Sequence, residues 1–173
     1  MAEAKKHQQF FFEPLGSAHD RAAFSCEEPR LESYIKTQAR QDVSKNLAAV
    51  FIMTVDGRAI AGFYTLSHYL IRSADIPEEV RRRLTKHDQL PATLIGRLAR
   101  HTEYRGTGAG DFLLVDALRR CLALSTQAAS WAVVVEAKNE HGTAFYKRFG
   151  FEAFPGRPLK MFLPTVTIEK LFA

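Results

Sequence analysis

The chain has 173 residues, the size of one ordinary domain, and with 46% of them apolar it can bury a single substantial core. Charged residues make up 25%, mixed in sign and accompanied by 13 Phe and one Trp, which excludes a disordered chain. A formal net charge of +5 biases the surface toward anionic partners, and the two cysteines, Cys26 and Cys121, lack the paired spacing of a zinc or redox site, so no metal is expected.

A polar lead-in over residues 1–12 opens the chain, and Met1 to Gln9 has no apolar segment of the kind a secretory signal needs. The longest apolar runs, Ala48 to Val55 and Trp131 to Val135, fall far short of the roughly 20 residues that span a bilayer. The expected compartment is cytoplasmic. Pro29 to Val43 sets Leu31, Tyr34, Ile35 and Ala39 on one stripe and predicts an amphipathic helix. Ala48 to Val55 and Ala59 to Leu66 read as strands joined at Asp56-Gly57, a two-residue hairpin signal. Pro77 to Lys86 predicts a short charged helix, and Pro91 to Arg100 a strand.

The glycine-rich run Tyr104 to Gly110 leads into a helix whose Leu114, Ala117, Leu118, Cys121 and Leu122 share a face. Trp131 to Glu136 reads as a buried strand, His141 to Phe149 as a short helix, and Phe151 to Phe154 with Lys160 to Leu163 as closing strands. With no repeat and no dividing linker, this mixed order predicts one α/β or α+β domain over residues 1–173, built on a central mixed sheet.

A loop without side chains lets backbone N–H groups approach a phosphate, and the positive end of the following helix favours the same charge. Arg105-x-x-Gly108-x-Gly110 suits a pyrophosphate on those grounds. It is not a Walker loop, since no Gly-Lys-Ser/Thr follows, and its spacing does not fit a dinucleotide fingerprint. Taken alone, it is equally a glycine turn that caps a helix.

Arg105, Gly108 and Gly110, placed between a strand and a helix, resemble the acetyl-CoA loop of the GNAT family of N-acetyltransferases. The segment Asn139-Glu140-His141-Gly142-Thr143-Ala144-Phe145-Tyr146, followed by Phe149-Gly150-Phe151, resembles that family's second signature. The resemblance runs from about Leu47 to Leu163 and implies a splayed mixed sheet, flanked by helices, that holds acetyl-CoA. It further implies that Arg105, Gly106, Thr107, Gly108, Ala109, Gly110 and Asp111 contact the cofactor. The backbone of Leu98, Ala99 and Arg100 would polarise the thioester carbonyl, Asn139 would face the cofactor arm and Tyr146 would meet the thioester sulfur.

A narrower resemblance rests on Phe24-x-Cys26, Leu31-Glu32-x-Tyr34-Ile35, Ala39-x-Gln41, Gly62-Phe63-Tyr64-x-Leu66-Ser67 and Ile95-Gly96-Arg97-Leu98-Ala99. These are similar to the acetyltransferase toxins of type II toxin–antitoxin systems. That likeness implies acetylation of the amino group of aminoacyl-tRNA, arrest of translation and a ribbon-helix-helix antitoxin as partner, with a homodimer also compatible. The chain departs from those toxins where the common Val-Asp is replaced by Arg100-His101.

Amide formation from a thioester needs a neutral amine, a stabilised oxyanion and a proton for the departing thiolate. Tyr146, with an ordinary phenol pKa of about 10, suits the proton donor, although a Tyr beside Phe145 and Phe149 also suits a core. Neither Glu103, Asp111, Glu136 and Glu140 nor His68, His87, His101 and His141 forms a recognisable base arrangement. Ser25, Ser67 and Cys26 lack a nucleophile elbow, which favours direct transfer from a ternary complex. The basic group Arg81, Arg82, Arg83, Lys86 and Arg97 could track tRNA phosphates or form a solvated helix face. Two alternatives remain: an acetyltransferase for a small-molecule amine or a protein amino group, and a non-catalytic acyl-CoA-binding module.

Overall fold

The computed structural model describes residues 8–173. Residues 1–7 of the expected lead-in lie outside the described residues. The lead-in does not extend to residue 12 as expected, because Phe11–Pro14 forms strand β1 and pairs antiparallel with Thr54 to Phe51 of the next strand. Pairing along that edge supplies order that the short Phe-Phe-Glu-Pro segment does not signal by itself.

The predicted helix over Pro29 to Val43 is two helices, α1 (Pro29–Thr37) and α2 (Ala39–Ser44), which part at Gln38, where φ is −119°. Pro29 opens α1, where a missing N–H costs nothing. Tyr34 Oη donates to Asp42 Oδ2 at 3.0 Å and ties the two helices across the break. Strands β2 (Ala49–Thr54) and β3 (Gly62–Arg72) are antiparallel, with Ala49 opposite Leu66. Their connection is longer than the two-residue hairpin predicted. Asp56 Oδ1 accepts the N–H groups of Arg58 and Ala59 at 2.9 and 2.8 Å, which builds an Asx-type turn and holds this carboxyl below its ordinary pKa.

A 3-10 turn (Ser73–Asp75) and helix α3 (Glu78–Arg81) follow. The predicted helix to Lys86 stops early, as Arg83 and Leu84 bond back only three residues, in turns. Next come β4 (Gln89–Arg100), a second 3-10 turn (Thr102–Tyr104), α4 (Ala109–Ser125), β5 (Ala132–Glu136) and α5 (Glu140–Lys147). The chain closes with β6 (Glu152–Phe154), β7 (Arg157–Pro164) and α6 (Thr165–Leu171). Helix α6 was not anticipated. It is seated by Thr165, whose N–H and Oγ1 donate to the carbonyls of Trp131 and Ser130, and by the fully buried Ile168.

The hydrogen-bonded strand order is β1-β2-β3-β4-β5-β7-β6 in a seven-stranded mixed sheet, in which β4 and β5 pair in parallel, Ala92 opposite Ala132. The described chain divides into two compact units. The first comprises residues up to Ser67 with Gly96–Ala117, and the second comprises His68–Ile95 with Leu118–Ala173. The core of the first gathers Phe24, Tyr34, Ile35, Ile52, Phe63 and Ala99, and that of the second gathers Ile71, Leu90, Val134, Phe154 and Phe162. Burial of such apolar side chains is worth about 1.5–3 kcal/mol each, so each unit has its own hydrophobic anchor.

Candidate active site

The first unit carries the end of β4 and the glycine loop. Ala99 points into the core beside Phe24 and Phe63, and Leu98 and Arg100 are half-buried. His101 ends the strand by donating its N–H to Ala61 O at 2.8 Å, and its Nδ1 accepts the Glu103 N–H at 3.1 Å to cap the 3-10 turn. With Nδ1 an acceptor, the hydrogen of a neutral ring lies on Nε2, which faces Ala23 O at 3.4 Å. His101 is therefore engaged in holding the turn.

Between that turn and α4, Gly106 and Gly108 have φ of +72° and +84°, a backbone that L side chains rarely adopt. No atom lies within 4 Å of a Cβ built on either glycine, so backbone conformation and not packing calls for them. Thr107 between them is buried and donates its hydroxyl to Tyr104 O at 2.5 Å. The first helical bond of α4 runs from Phe112 N to Gly108 O at 3.2 Å. Ala109 and Gly110 lie in the first turn, whose N–H groups find no acceptor within the helix, and there the helix dipole presents its positive end. Asp111 lies in the same turn, where a carboxylate is favourable.

One further residue joins this group that the sequence did not single out. Glu27 lies with Oε1 3.8 Å from Arg105 Nη1 and Oε2 3.9 Å from Arg100 Nη2, and Arg100 Nη1 is buried without a hydrogen-bond partner among the described residues. The Glu27 loop is fastened by Glu32, whose Oε1 accepts the Cys26 N–H at 2.7 Å, and by Ser25 O, which accepts the Thr102 N–H at 2.8 Å. Glu27 has no motif around it, so only the folded chain reveals it.

The second unit carries α5. Asn139 is its N-cap: its Oδ1 accepts the Gly142 N–H at 3.0 Å, which engages the side-chain oxygen of the residue expected to face the cofactor. Tyr146, one turn beyond Gly142, is buried, edge-to-face with Phe145 and Phe151, whose ring centroids lie 5.1 and 5.4 Å from its own. Burial pushes its phenol up to about 12, so it is protonated throughout the neutral range.

The predicted basic group does not form one cluster within a unit. Arg81, Arg82, Arg83 and Lys86 belong to the second unit and are exposed; Arg82 donates to Glu78 Oε1 at 3.1 Å and Arg81 lies 3.8 Å from the same oxygen. Arg97 belongs to the first unit, where its guanidinium lies 3.7 Å over the Tyr34 ring. Among the described residues no cluster of His, Cys, Asp and Glu side chains could hold a metal ion, and no helix is long and apolar enough to cross a membrane.

The acetyltransferase (GNAT) domain matches residues 46–153, a span that includes the end of β4, the glycine loop and Tyr146. The chain belongs to the GNAT family. This GNAT chain is 35% identical over 168 residues to the "Probable toxin TacT" of Sinorhizobium fredii, covering 92% of this chain and 93% of that one. It is 34% identical over 149 residues to a tRNA-acetylating toxin of Mycobacterium tuberculosis, covering 86% and 88%. Among solved structures it is similar to AtaT complexed with acetyl-methionyl-tRNAfMet, with TM-score 0.88, 26% identity and coverage of 95% and 100%. AtaTR bound with AcCoA matches with TM-score 0.83, 27% identity and coverage of 95% and 98%. A mutant AtaT toxin bound to the C-terminus of the antitoxin AtaR matches with TM-score 0.81, 26% identity and the same coverage.

Proposed function

We propose that this chain is an acetyl-CoA-dependent N-acetyltransferase that moves acetyl to the amino group of aminoacyl-tRNA and so acts as a translation-inhibiting toxin. The observation that carries this reading is its likeness, along 86% of its length, to a tRNA-acetylating toxin. The solved relatives that hold AcCoA and acetyl-methionyl-tRNAfMet support the same donor and acceptor. A ribbon-helix-helix antitoxin is the proposed partner, supported by the AtaT toxin bound to AtaR. The acceptor sets the compartment as the cytoplasm, and residues 1–173 are read as one catalytic domain, since β3, β4 and α4 each run on from one compact unit into the other.

In this reading Arg105 through Asp111 hold the pyrophosphate with backbone N–H groups and the positive end of α4. Backbone at Leu98, Ala99 and Arg100 polarises the thioester carbonyl, and Asn139 contacts the cofactor arm through its amide hydrogens. The neutral α-amine attacks the carbonyl carbon, the C–N bond forms and the C–S bond breaks. The thiolate takes the Tyr146 hydroxyl proton, the amine proton passes to water, and solvent restores the tyrosine. An aminoacyl ester amine is less basic than a lysine, so a usable fraction arrives neutral and no side-chain base is required. Arg81, Arg82, Arg83, Lys86 and Arg97 contact tRNA phosphates; the exposed pairs to Glu78 are worth little and yield readily to a polyanion.

Incubation of the purified protein with total charged tRNA and labelled acetyl-CoA, alongside polyamines and histone-type peptides, sets the acceptor classes in competition. Label is expected on the α-amino group of the esterified amino acid and none on uncharged tRNA. Label on amines or peptides alone would overturn the toxin reading and leave an acetyltransferase of another acceptor. Binding of acetyl-CoA with no transfer to any acceptor would favour the non-catalytic module.

A further inference from the structure

Arg100 has a donor fork that the protein only half uses. Nη2 lies 3.9 Å from Glu27 Oε2, a long ion pair, while Nη1 is buried and makes no hydrogen bond among the described residues. A buried donor left unpaired costs about 1–3 kcal/mol, and more on a charged group, so this fork has capacity for a further acceptor. The surroundings are built. Glu27 also meets Arg105 at 3.8 Å, and its loop is tied down through Glu32 and Thr102. Two guanidinium groups thus share one carboxylate beside the glycine loop.

We infer that Arg100 is a substrate-binding residue whose guanidinium, with the side chain 27% exposed, donates to a phosphate oxygen, and that Glu27 is the positioning residue that holds the Arg100 and Arg105 guanidiniums near each other. A guanidinium fork matches an oxyanion in shape and charge and can donate two N–H groups to it. The role is distinct from the backbone contact proposed at the same position, since it uses the side chain. It rests on the acetyl-transfer reading for its substrates, and two of those carry phosphate: the donor through coenzyme A and the acceptor through the tRNA end.

The test compares wild type with Arg100→Met, which keeps length without donors, and Arg100→Lys, which keeps charge without the fork. With acetyl-CoA and aminoacyl-tRNA, Arg100→Met should lower kcat/KM about tenfold to a hundredfold through KM, with kcat little changed and Arg100→Lys intermediate. Its thermal midpoint should hold or rise, since a buried donor without a hydrogen bond has been removed and only a long ion pair is lost. Replacing acetyl-CoA by acetyl-pantetheine, or aminoacyl-tRNA by aminoacyl-adenosine, removes the phosphates of one substrate at a time. The deficit should vanish with acetyl-pantetheine if the oxygen belongs to the donor, and with aminoacyl-adenosine if it belongs to the acceptor. A deficit that survives both replacements, or no deficit with the complete substrates, overturns the inference, as does a falling midpoint with KM unchanged. Should wild type transfer nothing to aminoacyl-tRNA, the function reading fails, and calorimetry with coenzyme A and with uncharged tRNA still decides this one. Affinity for either lost in Arg100→Met upholds it, and affinity for both kept overturns it.

Discussion

Asn139 Oδ1 accepts the Gly142 N–H at 3.0 Å, which caps α5 about two turns before Tyr146. Asn139→Ala should therefore destabilise the chain by about 1 kcal/mol, whereas Asn139→Ser, which retains a capping oxygen, should lie close to wild type. Neither variant keeps the amide hydrogens, so the KM for acetyl-CoA should rise in both. Thermal denaturation set beside steady-state kinetics checks this, and an unchanged KM in Asn139→Ser would reduce Asn139 to a cap.

Tyr146→Phe preserves the edge contacts to Phe145 and Phe151 and removes only the hydroxyl. Turnover should fall by a factor on the order of 10²–10⁴ with acetyl-CoA affinity maintained. Since burial raises the phenol to about 12, the protonated acid persists well past the ordinary value, and the wild-type kcat should show no fall near pH 10 from this group. Turnover at the wild-type level in Tyr146→Phe would make it a core residue.

Gly108→Ala forces a side chain to φ of +84° and should cost about 1–2 kcal/mol, with no clash, as the Cβ meets nothing within 4 Å. Gly156→Ala is the matched control, at φ of +73° and equally open, in the turn between β6 and β7. Both should lose similar stability, and only Gly108→Ala should weaken acetyl-CoA binding by calorimetry. Equal affinity in the two would take the loop out of the cofactor site.

Stability should fall at alkaline pH. Burial raises Cys121, Tyr34 and Tyr146 to about 12, from 9.0 for the thiol and 10.0 for the phenols. The folded chain holds these protons where the unfolded chain has lost them, so their contribution is whole below about pH 9 and is lost as pH rises toward 12. Cys121→Ala should remove up to one proton, about 1.4 kcal/mol per pH unit, from the slope of unfolding free energy above pH 9. Urea denaturation at stepped pH measures it, and an unaltered slope would contradict the buried-thiol account.

Reversal of Arg82 and Arg83 to Glu should weaken tRNA binding and flatten its dependence on salt by roughly 0.9 per lost phosphate contact for duplex geometry. Arg82 is shared with Glu78 at 3.1 Å and Arg83 is exposed, so both are accessible to a polyanion. Calorimetry with acetyl-CoA should give the wild-type affinity, because the loop proposed to receive it belongs to a different element. An unchanged salt slope for tRNA would leave these arginines as solvated surface.

Much of this protein is written locally. The glycines at 106, 108 and 110 and the Asn139 to Tyr146 spacing declare themselves because a left-handed backbone, a helix start and a helix face are each set by residues within a few positions. Apolar stripes likewise announced α1, α4 and the inner strands, since side-chain periodicity follows backbone geometry. The early end of α3, the break at Gln38 and the separate helix α6 escaped that reading because their limits depend on packing and on hydrogen bonds from elsewhere, such as those from Thr165 to Ser130 and Trp131. The pairing of β1 with β2, the stacking of Arg97 on Tyr34 and the carboxylate of Glu27 between Arg100 and Arg105 were decided by tertiary structure alone. In each, the partners are far apart in sequence, and a charge or an edge takes its meaning from whichever group the backbone path brings beside it.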